Sequence, residues 1–259
     1  MRTPSQQDFF TAPASRLIQG TINRVEQIEV DGHSYARRWM SPRRLGSASR
    51  NVEQRVWTRA AEQELSPRLI LWDDNNNACI SDWVMSSKEE APIARIVETV
   101  RHFHTLEQRM IDHTPAFMEL MSHYKEPSRH QSLFERIIQL EDTLSLSQLP
   151  HVVSHNDLGS NNLLYSGNRV WLIDFEYAGI NHPWVDVATL WIDRHEQYSL
   201  ESMGMMYANT AAFAFNKLEL EALEATAELC TLLGLAWAEH SEPSWREKFT
   251  RALSHLASH

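Results

Sequence analysis

The chain has 259 residues, 42% hydrophobic and 22% charged, which are ordinary values for a globular protein that can bury a full core. Its net charge of −10 argues against a nucleic-acid-binding surface, and its two cysteines give no disulfide framework. No run of about eighteen apolar residues is present, and the first residues lack the apolar core of a signal peptide. We therefore expect a cytoplasmic protein without a membrane partner.

The first forty residues predict a β-hairpin. Residues 1–15 are polar and mixed, which is typical of a loosely ordered start. The segment 16–40 then alternates between apolar and polar side chains, as strands do. Within it, Asp31-Gly32 is a strong signal for a tight turn that joins two antiparallel strands.

A helix and two further strands are predicted next. Residues 51–64 repeat apolar side chains at helical spacing. Two apolar runs, 65–72 and 78–85, flank a polar turn at 73–77. The first third of the chain therefore predicts a small antiparallel sheet with one helix.

Beyond this point the sequence is mainly helical. The polar stretch 86–92 contains a proline and marks a boundary between two lobes, which we place at 1–85 and 86–259. Apolar residues recur at helical spacing from Ile93 onward. Further helices are predicted at 115–124, 132–146, 186–195, 201–215, 218–239 and 244–258.

The segment 150–186 interrupts the helical pattern and holds the most informative residues. Two short apolar runs lead into acidic side chains, first Asp157 and then Asp174. The residues between them predict a hairpin with its turn at 166–168. Asn162 follows Asp157 on the same loop. We therefore expect these three polar side chains to share one rim of the hairpin.

Two carboxylates and one amide in this order suit phosphoryl transfer. One carboxylate can accept the proton of an attacking hydroxyl, while an amide oxygen and a second carboxylate can hold Mg²⁺ on the phosphates of ATP. The two motifs are His155-Asn-Asp157-(four residues)-Asn162 and Leu172-Ile-Asp174-Phe-Glu176-Tyr. Together they resemble the catalytic and metal-binding loops of the aminoglycoside phosphotransferase/choline kinase superfamily, the small-molecule relatives of protein kinases.

This resemblance implies a two-lobed, protein-kinase-like α+β fold with a small antiparallel-sheet N-lobe and a mainly helical C-lobe. It also implies an enzyme that uses ATP and Mg²⁺ to phosphorylate a hydroxyl group. Asp157 would be the catalytic residue, and Asn162 and Asp174 would hold the metal. Glu176 would support the metal shell.

The resemblance also assigns residues to the nucleotide. A basic residue on the strand after the first hairpin grips the phosphates in this superfamily, and Arg38 matches it, with Arg37 as the alternative. A guanidinium suits this role because it is permanently charged and can bind in a bidentate way. Glu53 matches the helix glutamate that pairs with the basic residue. Gly20 is the one glycine of the turn expected to cover the phosphates, where kinase-type loops usually hold several. A non-catalytic, ligand-binding pseudokinase therefore remains an alternative.

An acceptor pocket follows from the same resemblance. In choline kinases an acidic residue and a tyrosine follow the metal-binding aspartate and face the substrate's ammonium, and Asp193 and Tyr198 match them. Trp191 and Trp237 would add aromatic rings, although core packing is an alternative for Trp191. An aromatic wall beside a carboxylate suits an organic cation. The predicted substrate is a small cationic alcohol such as choline, ethanolamine or thiamine.

Two other functions remain open. The first is an aminoglycoside phosphotransferase, although the glutamates within 219–228 have the spacing of a solvated helix face. The second is a transition-metal hydrolase, because imidazole favours Zn, Ni or Fe. Its candidate ligands would be His151, His155, Asp157, Asp174, His182 and Asp186.

Overall fold

The structure is a computed structural model that describes residues 4–19, 23–40, 50–109, 111–124 and 131–257. Its N-terminal strands are β1 (Ala14–Gln19), β2 (Arg24–Val30), β3 (His33–Trp39), β4 (Leu69–Asp73) and β5 (Ala78–Asp82). Within the described ranges these strands form one antiparallel sheet in the order β1-β2-β3-β5-β4. The sheet expected in the first third of the chain is therefore confirmed.

The tight turn expected at Asp31-Gly32 joins β2 to β3. Both turn residues have positive φ angles, 51° for Asp31 and 77° for Gly32, as two-residue hairpin turns of this type require. The pairing sets Arg38 opposite Val25 in the neighbouring strand. Because successive side chains of a strand point to opposite faces, Arg37 and Arg38 lie on different faces of the sheet.

The start of the chain is more ordered than the sequence suggested. The prediction of a loose start is wrong for the described part, where helix α1 (Gln6–Thr11) begins at a capping box formed by Ser5 and Asp8. Arg37 ties this helix to the sheet by donating to the carbonyl oxygen of Phe9 at 2.7 Å. The composition of residues 1–15 does not indicate this helix, because Arg37, which holds it in place, lies far along the chain.

Helix α2 (Arg50–Glu62) comes after strand β3 and confirms the helix expected at 51–64. Val52, Val56 and Ala60 are buried on its inner face. Glu53 lies on this face as well and is only 2% exposed. A buried glutamate needs a partner of opposite charge, so its position predicts an ion pair.

Two short strand pairs lie among the later helices. Strand β6 (Val152–Ser154) pairs with β9 (Gly179–Asn181), and β7 (Leu163–Ser166) pairs with β8 (Arg169–Leu172). The second pair is the predicted hairpin, and Gly167 in its turn has a φ of 59°. The polar segment between β6 and β7 is therefore held at both ends by paired strands.

The other helices confirm the predicted positions, with small differences at their ends. They are α3 (Ile93–Phe103), α4 (Phe117–Ser122), α5 (Gln131–Leu144), α6 (Trp184–Ile192), α7 (Leu200–Ala211), α8 (Lys217–His240) and α9 (Arg246–Leu256). Their buried faces share one hydrophobic core with α2. In the part of the chain that the structure describes, no helix is long and apolar enough to cross a membrane. The proposed lobe boundary between residues 85 and 86 stays a prediction.

Candidate active site

The loop 155–162 is held from behind by a buried carboxylate. Asp186 on α6 is fully buried and accepts the backbone N–H groups of His155 at 2.7 Å and of Asn156 at 2.8 Å. The ring of His104 lies 2.9 Å from the same carboxylate. Burial alone would raise the pKa of Asp186, but its hydrogen bonds and the neighbouring histidines outweigh burial and lower the pKa. This network fixes the path of the loop.

His155 connects the loop to the end of β8. The side chain is fully buried, and its Nε2 lies 2.9 Å from the carbonyl oxygen of Ile173. A carbonyl oxygen can only accept a hydrogen bond, so Nε2 carries the proton in this contact. His155 therefore braces the loop against the segment that carries Asp174.

Asp157, Asn162 and Asp174 come together at one rim. The side-chain amide of Asn162 donates to Oδ2 of Asp157 at 3.0 Å and to the backbone oxygen of Asp157 at 2.7 Å. The backbone N–H of Ile173, next to Asp174, donates to the carbonyl oxygen of Asn162 at 3.0 Å. The negative charge of Asp174 also acts on the carboxyl of Asp157, which puts Asp174 near the other two residues that the sequence spacing singled out.

Arg38 reaches from the sheet to this rim. Its Nη1 donates to Oδ1 of Asp174 at 2.6 Å, and its Nη2 forms an ion pair with Glu53. Asp174 has a φ of 66°, a left-handed conformation that is uncommon outside glycine. Arg37 points to the other face and binds Glu26 at 2.7 Å. Of the two arginines considered, only Arg38 touches the rim, while Gly20 lies outside the described residues.

Two carboxyl groups near the rim have raised pKa values. Asp157 is exposed at the surface of the rim. The protein around its carboxyl nevertheless removes part of the hydration of the charged form, and this desolvation, together with the negative charge of Asp174, raises the pKa of Asp157 to about 6. Burial and then the charge of Asp174 raise the pKa of Glu176 to about 7. Carboxyls that titrate near neutral pH are common in sites that move protons.

The oxygen atoms at the rim suit a hard cation. Asn162 uses its amide nitrogen for both bonds to Asp157, and among the described residues no donor binds its Oδ1. Asp174 adds a carboxylate on the neighbouring segment. Carboxylate and amide oxygens are the ligands that Mg²⁺ prefers, so the residues present fit a magnesium ion.

In the part of the chain that the structure describes, the histidines of this region form no metal centre. Within the described ranges, no group of three or more His, Cys, Asp or Glu side chains is arranged to hold a metal ion. His155 and Asp186, two of the candidate ligands, instead brace the loop. The structure gives the transition-metal hydrolase alternative no support.

Aromatic and acidic side chains cluster beside the loop. Asp193, which follows α6, accepts the backbone N–H of Ser160 at 2.5 Å and pairs with the ammonium of Lys248 on α9. Burial alone would raise the pKa of Asp193, but Lys248 and Ser160 outweigh it and lower the pKa. The Trp245 ring lies 4.5 Å from the Lys248 ammonium and meets Trp237 edge to face at 6.0 Å. We call Asp193, Trp237 and Trp245 the aromatic pocket.

Of the other two predicted substrate residues, Trp191 lies in the core, and the role of Tyr198 stays a prediction. Trp191 is 1% exposed, and its indole N–H donates to the carbonyl oxygen of Tyr198 at 3.0 Å. A side chain this deeply buried offers no surface to a substrate, so Trp191 is corrected to a core residue. Tyr198 is half-buried and packs against the core. No hydrogen bond or ring contact among the described residues links the Tyr198 side chain to Asp193.

Sequence reasoning missed three residues of the site. Asp186 was considered only as a metal ligand, although a single charge inside the apolar helix α6 signals a buried hydrogen-bond network. Trp245 follows Trp237 closely in sequence. Two tryptophans near the ends of neighbouring helices are the signal that could have indicated a shared aromatic surface. Lys248 had no local signal, because its partner Asp193 follows a different helix, α6, and is distant in sequence.

The family of the chain follows from a comparison with known proteins. A family model described as the phosphotransferase enzyme family matches residues 53–220, which is more than half of the chain. The chain belongs to this phosphotransferase family. The match contains the loop 155–162, Asp174 and Asp193, so the rim and part of the aromatic pocket lie inside the family's own region.

Solved structures of other phosphotransferases share the fold. A choline/ethanolamine kinase family protein from Mesorhizobium loti is 19% identical, with a TM-score of 0.73 over 96% of this chain and 92% of that one. Choline kinase LicA from Streptococcus pneumoniae is 16% identical, with a TM-score of 0.71 over 95% of both chains. A mutant aminoglycoside phosphotransferase, APH(4)-Ia, solved with ADP and hygromycin B, is 17% identical, with a TM-score of 0.64 over 95% of this chain and 93% of that one. At these identities the likeness shows the fold and confirms the predicted kinase-like α+β class, while the family model confirms the predicted superfamily.

A short stretch also matches a curated relative. Protein LicA of Haemophilus influenzae is 44% identical over 41 residues, which cover 16% of this phosphotransferase and only 15% of LicA. So short a match does not carry the activity of LicA across to this chain.

Proposed function

We propose that this phosphotransferase moves the γ-phosphoryl group of ATP, with Mg²⁺, to the hydroxyl of a small cationic alcohol. The observation that carries the proposal is the grouping of Asp157, Asn162 and Asp174 at one rim, with Arg38 reaching it from the sheet. Similar folds were solved with AMP and with ADP, which supports the binding of a nucleotide.

Each rim residue has a role that its contacts allow. Asp157 would orient the acceptor hydroxyl and take its proton, and a weak base suffices because phosphoryl transfer depends mainly on alignment and charge neutralisation. Asn162 and Asp174 would hold Mg²⁺, which neutralises charge on the phosphates. Arg38, kept in place by Glu53, would contact the phosphates.

The aromatic pocket supports a cationic acceptor. Asp193 supplies a carboxylate, and Trp237 and Trp245 supply ring faces, which attract an organic cation by about 0.5–2 kcal/mol per ring. Choline and thiamine both carry a hydroxyethyl arm on a permanent cation, so a single pocket of this kind suits either. The choline and ethanolamine kinases among the similar folds support the same substrate class.

A coupled assay of ADP release tests this proposal. Choline, ethanolamine, thiamine and a set of aminoglycosides are each added to the protein with ATP and Mg²⁺. We expect ADP release only with a small cationic alcohol, loss of release when a chelator removes Mg²⁺, and recovery when Mg²⁺ is restored, since oxygen ligands here favour that ion. Release with aminoglycosides alone would indicate an aminoglycoside phosphotransferase. No release with any alcohol would favour a pseudokinase.

The pH dependence gives a second test. We expect turnover to fall as the pH is lowered through about 6, because Asp157 must be ionised to accept a proton. Initial rates from about pH 5 to about pH 8 should show this acid limb in the wild type and also in Glu176→Gln, which lacks the other carboxyl with a raised pKa. A flat profile, or an acid limb that disappears in Glu176→Gln, would contradict the role of Asp157.

A further inference from the structure

The aromatic pocket already holds a cation that belongs to the chain itself. The ammonium of Lys248 pairs with the carboxylate of Asp193 and lies 4.5 Å from the centre of the Trp245 ring. The ring of Phe249 is 5.4 Å from the same ammonium. A carboxylate together with ring faces within about 6 Å is the set of contacts that a bound organic ammonium makes. Lys248 therefore stands where such a ligand would stand.

This position is close to the proposed transfer site. Asp193 accepts the backbone N–H of Ser160, which lies on the same loop as Asp157. The pKa of Asp157 is raised chiefly by desolvation, and the positive charge of Lys248 acts on it in the opposite direction. The Lys248 ammonium thus lies within electrostatic range of the group that would take the proton of the acceptor.

We propose that Lys248 is a tethered competitor, which must leave the aromatic pocket before a cationic acceptor can bind there. The inference rests on the proposed function, since it takes the acceptor to be a cation. Asp193 carries one negative charge, and two ammonium groups beside it would repel each other. An acceptor cation therefore replaces Lys248 and does not join it.

The lysine side chain can make this exchange. It is 24% exposed, so a change of rotamer along its flexible stem returns the ammonium to water. Its departure would leave the mostly buried Asp193 carboxylate without a charged partner, so the exchange is favourable only when an acceptor cation takes the vacated place. The consequence is a pocket that lowers the affinity of every cationic acceptor by the same factor and still admits those that bind well.

Binding of tetramethylammonium to the full-length protein tests the proposal. This probe has the cationic head of a choline-like acceptor but no hydroxyl, so its affinity is measured without turnover. We expect Lys248→Met, which keeps the length of the side chain and removes its charge, to bind the probe about three- to tenfold more tightly in calorimetry. Lys248→Gln serves as a second uncharged variant if the methionine protein does not fold. Lys248→Arg keeps the positive charge and should stay near the wild-type affinity.

The outcomes separate this inference from the proposed function. Tighter binding in the uncharged variants, with a lower KM for the cationic alcohol, supports the competitor role. Equal or weaker binding in those variants overturns it and leaves the cationic acceptor in place, because the wild type still binds the probe. Failure of every variant and of the wild type to bind the probe overturns both.

Discussion

Replacing Asp157 by asparagine is expected to lower turnover by about two to four orders of magnitude, the range that a positioned acid–base group contributes. The amide keeps the shape of the side chain, and its oxygen can still accept the hydrogen bond that Asn162 donates at 3.0 Å. It cannot take a proton from the acceptor. Nucleotide affinity should change little, because the proposed contacts to the phosphates come from Arg38 and from the metal held by Asn162 and Asp174.

The same substitution should not weaken the fold. The pKa of Asp157 is raised to about 6 in the folded chain, so the ionised carboxylate opposes folding, increasingly as the pH rises toward 6 and fully above it. Asparagine has no such charge, so the midpoint of thermal unfolding at about pH 8 should equal or exceed that of the wild type.

Asp142→Asn, at an exposed position on α5, is the matched control and should keep full turnover. Turnover retained in Asp157→Asn would contradict the proposed chemistry.

Asp186→Ala is expected to lower the free energy of unfolding by about 3–5 kcal/mol, as the loss of one partner from a buried charged network does. The substitution leaves the backbone N–H groups of His155 and Asn156 without their acceptor, and it removes one of the two hydrogen-bond partners of the His104 ring, which keeps Tyr207. Turnover should fall as well, because these bonds fix the loop that carries Asp157. Denaturant unfolding followed by circular dichroism measures the change.

An exposed carboxylate provides the comparison for Asp186. Glu98 on α3 binds Arg95 at 2.9 Å and is 59% exposed. Glu98→Ala should cost no more than about 1 kcal/mol, because exposed ion pairs contribute little. Similar losses for the two variants would mean that Asp186 does not organise the loop.

Local chemistry in the sequence was enough to predict the framework of the site. The turn at Asp31-Gly32 is specified by two residues that tolerate positive φ, and the structure has both. The hairpin after Asp157 and the grouping of Asn162 with Asp174 follow from short apolar runs and their spacing. These features depend on neighbours in the chain, which sequence patterns record.

Features that depend on distant partners could not be predicted in this way. Helix α1 is held by Arg37 across the sheet, and Asp193 meets Lys248 from the last helix. The family resemblance placed Trp191 in the acceptor pocket with Asp193, but its ring is buried in the core. In each case the outcome depends on which elements pack together, and no local pattern records that.

Phosphorus NMR spectroscopy of a complete reaction tests the central claim most directly. With ATP, Mg²⁺ and a cationic alcohol, we expect ADP and a phosphate monoester of the alcohol to appear in equal amounts, and neither to appear with Asp157→Asn at comparable times. ADP accompanied only by inorganic phosphate, or unchanged ATP with every cationic alcohol, would contradict transfer to an alcohol at the rim formed by Asp157, Asn162 and Asp174.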